Sequence, residues 1–281
     1  MKNLLPTILK ISGVSLGLVI FAVVVFYFWA SSNAYPQEKY AEVVDYPGST
    51  PTTNKNEFTV ITYNIGYLSG LTNNQAVDRE KKLFDDNLKT VIDALKPLNA
   101  DFIGFQEIDL GSKRSFKVNQ VSELAKALSF NQAGIAINWD KTYVPFPYWP
   151  FSAHFGRILS AQAVFSRYPI TNNKRIVLDK VASKPFFYNA FYIDRVAQVS
   201  EIKIDSTVPP IPDNPQPTVD ILLKTASIKS ALPPEALNNP EIATFPSDKP
   251  EVKLDYVFYT PDNIQVVEWR IGNEVNQASD H

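Results

Sequence analysis

The sequence predicts a layered α/β domain behind an apolar N-terminal segment long enough to span a membrane. Three observations carry that expectation: twenty uncharged residues from Ile11 to Ala30, alternating β-rich and helical patterns from Phe58 to Leu128, and a return to β-rich runs beyond Gly156. Strand, helix, strand and helix in succession argue for layers. With the first thirty or so residues set aside, about 250 remain, ample for one large domain or two small ones with a real core.

The run ISGVSLGLVIFAVVVFYFWA rises far enough as a helix to cross a hydrocarbon core of roughly 30 Å. Its Tyr27-Phe28-Trp29 end suits the membrane interface. The run exceeds the apolar core of a usual cleavable signal, so residues 1–34 are expected to form a cytoplasmic N-terminus and an uncleaved, single-pass anchor. Small residues at Ser32-Asn33-Ala34 keep a cleaved secretory peptide open as the alternative. Lys2 and Lys10 precede the span and a more acidic flank follows it, which puts the C-terminal part outside the cytoplasm.

Residues 35–56, rich in Pro, Thr, Asn and charge, read as a linker, and the domain is expected over 57–281. EFTVITYNIGYL is a first strand ending near Asn64 and broken by Gly66. Between Arg79 and Lys96, Phe84, Leu88, Val91, Ile92 and Leu95 recur at helical steps with charges between them. Asn99 and Ala100 then turn the chain into FIGFQEID, a buried strand that presents Glu107 at its tip. Carboxylates placed so commonly line the ligand crevice of layered α/β folds. Lys117–Leu128 repeats the helical pattern. The aromatic, proline-rich stretch Trp139–Phe155 reads as a loop packed by its own rings, or else as a substrate- or lipid-facing wall. Strands follow at Ala161–Phe165, Ile176–Leu178 and within Phe191–Ile204. A proline loop over Asp205–Asn214 and a helix candidate at Val219–Lys229 precede two more strands, VKLDYVFY and IQVVEWRI, before Ser279-Asp280-His281.

Composition narrows the chemistry. A net charge of −2 and a pI near 5.8 provide no global basic field, so bulk nucleic acid is disfavoured as a partner. The absence of cysteine removes disulfides, thiolate nucleophiles and cysteine-ligated zinc. Only His154 and His281 are present, so a metal would be held mainly by oxygen. Four features could carry chemistry: Asn64 after the first strand, Glu107 at the second, Asp255 in a late strand, and Asp280-His281. Singly, each has an ordinary reading as a turn former, a solvated carboxylate, an edge or capping residue, or a solvated terminus.

Their order and local wording add more. TYNI at 62–65, QEI at 106–108, LSAQAVFSRYPI at 159–170, LDYVF at 254–258 and SDH at 279–281 together resemble the endonuclease/exonuclease/phosphatase superfamily, the pancreatic-deoxyribonuclease-like, metal-dependent phosphoesterases. The resemblance runs from Phe58 to His281. It implies a four-layer β-sandwich of two mixed sheets flanked by helices, and hydrolysis of a phosphodiester or phosphomonoester by in-line attack of water. By motif, Glu107 and Asp280 match the metal-binding acids, for Mg²⁺ or Mn²⁺. Asn64 matches the asparagine beside the metal and phosphate, His281 the histidine on the phosphate, and Asp255 the aspartate that orients that histidine. With the anchor and the aromatic stretch, the implied substrate leans towards a lipid or surface-associated phosphoester.

The sequence departs from that pattern in one interval. Asp205–Lys253 holds neither the histidine-leucine pair nor the Gly-Asp-Phe-Asn strand end that in this superfamily readies the water and binds substrate. An internal shortening, and a second one after His281, are therefore expected in the sandwich. The alternative that follows is a catalytically inactive or truncated member serving as a surface binding module.

Overall fold

The computed structural model describes residues 4–49, 55–180, 183–204, 228–237, 239, 242–261 and 264–281. Helix α1 (Leu4–Ser31) is one continuous apolar rod, and its Pro6–Ser31 portion is long and apolar enough to cross a membrane. Strand β1 (Val43–Asp45) follows, then β2 (Val60–Asn64), α2 (Lys81–Leu95), β3 (Phe102–Asp109), α3 (Gln120–Ala127), β4 (Gln132–Val144) and β5 (Gly156–Ser166). The second half holds β6 (Ile170–Val177), α4 (Phe186–Phe191), β7 (Val196–Ile202), β8 (Lys229–Ser230), the single turn α5 (Pro234–Leu237) and β9 (Phe258–Tyr259).

These elements make a mixed α/β fold. Five strands form one sheet in the order β1-β4-β5-β3-β2, parallel only between β2 and β3. The parallel pair is joined through α2, as a parallel connection requires. Two small antiparallel sheets, β6-β7 and β8-β9, complete the described strands.

The register shows why one sheet face is the core. Ile103, Phe105, Ala133, Ile135, Ala163 and Phe165 share that face and are buried with Phe84, Val91 and Leu95 of α2 and Val121 and Leu124 of α3. Phe105 and Phe165 meet edge to face at 4.9 Å between centroids. Each such ring contributes on the order of 1.5–3 kcal/mol by burial. The apolar positions expected in both helices are the ones that point inwards, because a helical stripe has only one face to bury.

The opposite face carries Thr62, Gly104 and Val164, and hairpin β6-β7 lies over β4 there through polar groups. Asn173 donates to the Ile135 carbonyl at 2.9 Å, and Gln198 donates to the Gly134 carbonyl at 2.9 Å. Gly134 is needed at that crossing, since a Cβ would come within 2.8 Å of Asn173 Oδ1.

Several expectations are corrected. Residues 35–46 are no slack linker: Tyr35, Tyr40, Val44 and Tyr46 pack against the core, and β1 adds an edge to the sheet. Trp139–Val144 belongs to the 13-residue β4, so the aromatic loop begins only at Pro145. Ala, Gly and Asn in QAGIAIN hide the strand pattern, yet those small residues suit a strand packed on both faces. The strand expected at IQVVEWRI does not form: residues 264–271 pair with no described strand and are largely exposed. An isolated β-run without a neighbour leaves its backbone groups to water. VKLDYVFY is strand only at Phe258–Tyr259, with a bridge from Val252 to Phe245, so Asp255 sits in irregular chain. The proline loop and most of the Val219–Lys229 helix candidate lie outside the described residues, and Lys229 is in β8.

Candidate functional site

The site is built where the end of β2, a bulge in β3 and the C-terminal residues meet. Glu107 does not end its strand. It sits in β3 at a register shift between Phe105 and Ile108, with φ +52. A bulge of this kind re-aims one side chain without ending the ladder, and a left-handed glutamate costs about 1–3 kcal/mol that its surroundings must supply.

The segment after β2 is equally constrained, with positive φ at Gly66, Tyr67, Leu68 and Gly70. The Asn64 side chain begins that turn by accepting a hydrogen bond from the Gly66 N–H at 3.0 Å. The turn delivers Asn73, whose Nδ2 lies 3.0 Å from Glu107 Oε2, 3.1 Å from Asp280 Oδ1 and 3.0 Å from Asp280 Oδ2. One amide thus gathers two carboxylates that are 173 residues apart (280 − 107). Asp280 is placed by its neighbour: the fully buried Ser279 donates to the Asn64 carbonyl at 2.7 Å, and Ser247 donates to the Ser279 carbonyl at 2.6 Å.

Gly66 fits this junction for a steric reason. A Cβ there would stand 2.6 Å from Asp280 Oδ1 and 2.9 Å from Ser279 Oγ, at φ +53. Gly66→Ala is expected to lower stability by about 1–3 kcal/mol, seen as a fall in the thermal midpoint.

His281 and Asp255 form the second half of the site, with Nδ1 to Oδ2 at 3.0 Å. Phe245 flanks the imidazole at 5.0 Å between ring centroids. Burial alone would depress the imidazolium, but the hydrogen bond and charge of Asp255, backed by Asp280 and Glu107, outweigh it and hold His281 above its ordinary 6.5. Burial would likewise raise Asp255, but hydrogen bonds from His281 and Thr244 outweigh it and hold the carboxyl below its ordinary 3.8.

Beneath Glu107 lies a buried network that the sequence reading missed. Asp109 is fully buried and pairs with Arg114 through Nε at 3.1 Å and Nη2 at 3.0 Å, with Ser112 at 2.9 Å and Ser160 also donating. The Arg114 guanidinium lies over the Tyr67 ring at 3.3 Å, and Gln120 ties Tyr67 O to Asp109 N. The aspartate two residues after Glu107, followed by an arginine in GSKRS, was the available signal. Asn73, in a polar loop without periodicity, offered none.

All five residues singled out in the sequence therefore lie in one connected cluster, whereas His154 is elsewhere, bonded to Tyr143 at 2.6 Å. Among the described residues no group of three or more His, Cys, Asp or Glu converges in a manner that could hold a metal. The larger polar cavity, about 130 Å³, lies at the exit of α1. Asp140 there already accepts from Ala34 N, Tyr35 N, Tyr40 and Arg157, so its acceptor capacity is spent on holding structure. A narrower cavity bordered by Tyr67, Ser69, Asn73 and Arg114 has room for about one water. Fold and site together define a mixed α/β protein with two gathered carboxylates beside a histidine–aspartate pair. Comparison with family models, curated proteins and solved structures gives no match to this chain.

Proposed function

We propose that this chain is a membrane-anchored, metal-dependent phosphoesterase of the endonuclease/exonuclease/phosphatase type. The observation that carries the reading is the convergence of Glu107 and Asp280 on Asn73 Nδ2, beside His281 held by Asp255. Two carboxylates with nearby amides fit Mg²⁺, which takes one or two acids and keeps several waters; Mn²⁺ suits the same oxygen donors. Glu107 and Asp280 would hold it, with Asn64 adjacent. Bound there, the ion would neutralise phosphoryl oxygens.

His281 supplies the other part of the chemistry. With Nδ1 engaged by Asp255, Nε2 is the atom left to donate to a phosphoryl oxygen as charge builds on it. Against the opposing effect of burial, chiefly Asp255 holds the imidazole above its ordinary 6.5, so that it keeps its second proton to higher pH than a free one. In this reading the five-stranded sheet is one of the two sheets of a four-layer sandwich, and β6-β7 belongs to the second. The register sets Ile108 level with Ala161 and Ile137, midway along β4, and the choice of a lipid or surface-associated phosphoester rests on the apolar helix α1.

The test uses the full chain in detergent with a chromogenic phosphodiester and added Mg²⁺. Turnover is expected, lost on chelation and lost in Glu107→Gln. Hydrolysis that persists unchanged in Glu107→Gln would remove the site assignment. A non-catalytic surface binding module is the second reading, favoured by the lack of a third acid beside Glu107 and Asp280 among the described residues. No chelator-sensitive turnover in a cooperatively folding protein would select it.

A further inference from the structure

We propose that the domain is seated on the bilayer that α1 spans, with the exposed rings of residues 146–151 and of α4 lying in the lipid interface. The inference rests on α1 being a membrane span, and its first support is that the helix leaves no slack. Thr142 N donates to Ser32 O at 2.8 Å, Lys141 Nζ reaches Ser31 O and Asn33 Oδ1 at 3.1 Å each, and Asp140 accepts from the Ala34 and Tyr35 amides at 3.0 and 2.8 Å. Within four residues of the helix end the chain is clamped to β4. A spanning α1 therefore fixes which face of the domain meets the membrane.

That face is aromatic. The last turns of α1 pack onto the domain, with Tyr27 against Phe186 at 6.2 Å and Phe191 at 5.7 Å, and Trp29 against Tyr143 at 6.0 Å. From Tyr143 the contacts run on through His154 at 5.7 Å and Phe151 at 5.3 Å to Trp149 at 5.1 Å. Rings at the outer ends of both branches are bare: Phe186 is 76% exposed, Trp149 72% and Phe151 67%. Large rings left in water are costly in a free domain, whereas at a bilayer interface their apolar bodies and polar edges are both satisfied. Lys184, above the Tyr188 ring at 5.3 Å, adds a cation at the same edge, suited to lipid phosphates. The patch is continuous with the Tyr27–Trp29 end of the span, which already marks interfacial depth.

The absence of natural cysteines makes the test direct. Single variants Phe187→Cys, Phe151→Cys, Val19→Cys and Val60→Cys of the full chain, each carrying an environment-sensitive dye, are reconstituted into phosphatidylcholine vesicles containing brominated acyl chains. Val60 is the control: it is exposed at the opposite end of the sheet, level through Phe102 and Ser166 with Gln132, about 30 Å along β4 from Thr142. Probes at 187 and 151 are expected to be quenched several-fold more than at 60. Strong quenching at 19 with none above control at 187 and 151 overturns the seating and leaves the span intact. No quenching at 19 overturns the span, and the seating with it. Protection at 187 and 151 that depends on protein concentration rather than lipid would make the patch a self-association surface and also overturn the proposal.

Discussion

Arg114→Met is expected to destabilise the protein by about 3–5 kcal/mol, because it strips the partner from a buried charge. Asp109 has no water to turn to, and only Ser112 and Ser160 would remain as side-chain donors to it. The consequence reaches the site: the Arg114 guanidinium also supports the Tyr67 ring in the strained turn that delivers Asn73. Thermal unfolding of the full chain in detergent should show a large fall in midpoint. Arg114→Met combined with Asp109→Asn should recover part of the loss, since the stranded charge is then gone. An unchanged midpoint in the single variant would contradict this account.

The second large effect concerns His281. Its replacement by alanine should lower phosphodiester turnover by roughly 10²–10⁴-fold, the range for losing a positioned proton donor. Asp255→Asn should act through the imidazole. With only two histidines in the chain, NMR titration can follow His281 directly: it should titrate above 6.5 in the protein and move down in Asp255→Asn. The sign for stability follows from the same shifts. His281, raised on folding, contributes fully below 6.5 and loses its contribution as pH rises through its folded value. Asp255, depressed on folding, contributes above 3.8 and loses it as pH falls through its folded value. The pair therefore stabilises most between those limits, and Asp255→Asn should weaken the loss of stability on either side of them. An imidazole that titrates identically in both proteins would separate Asp255 from His281.

Much of the first half was legible because its signals are local. The stripe Phe84, Leu88, Val91, Ile92 and Leu95 can be buried only as a helix face, and FIGFQEID only as a strand. β4 escaped because Ala and Gly carry no alternation. IQVVEWRI misled because β-propensity cannot supply the neighbour a strand needs. Among site residues, Glu107, Asp255, Asp280, His281 and Asn64 stand out by residue type and local wording, while Asn73 and Arg114 become visible only in the fold, where the strained turn delivers Asn73 to Glu107 and Asp280 and the chain after β3 brings Arg114 back onto Asp109.

The sequence by itself determined an apolar helix of spanning length, an α/β alternation with its inward stripes, and a short set of acids and one terminal histidine able to do chemistry. These follow from residue type and period alone. Only the tertiary structure decided that Glu107 turns out of a bulge, that Asn73 draws it together with Asp280, that Asp255 faces His281, and that residues 32–46 clamp the helix to the sheet. Those are contacts between segments far apart in the chain, set by packing and hydrogen-bond satisfaction that no local pattern encodes.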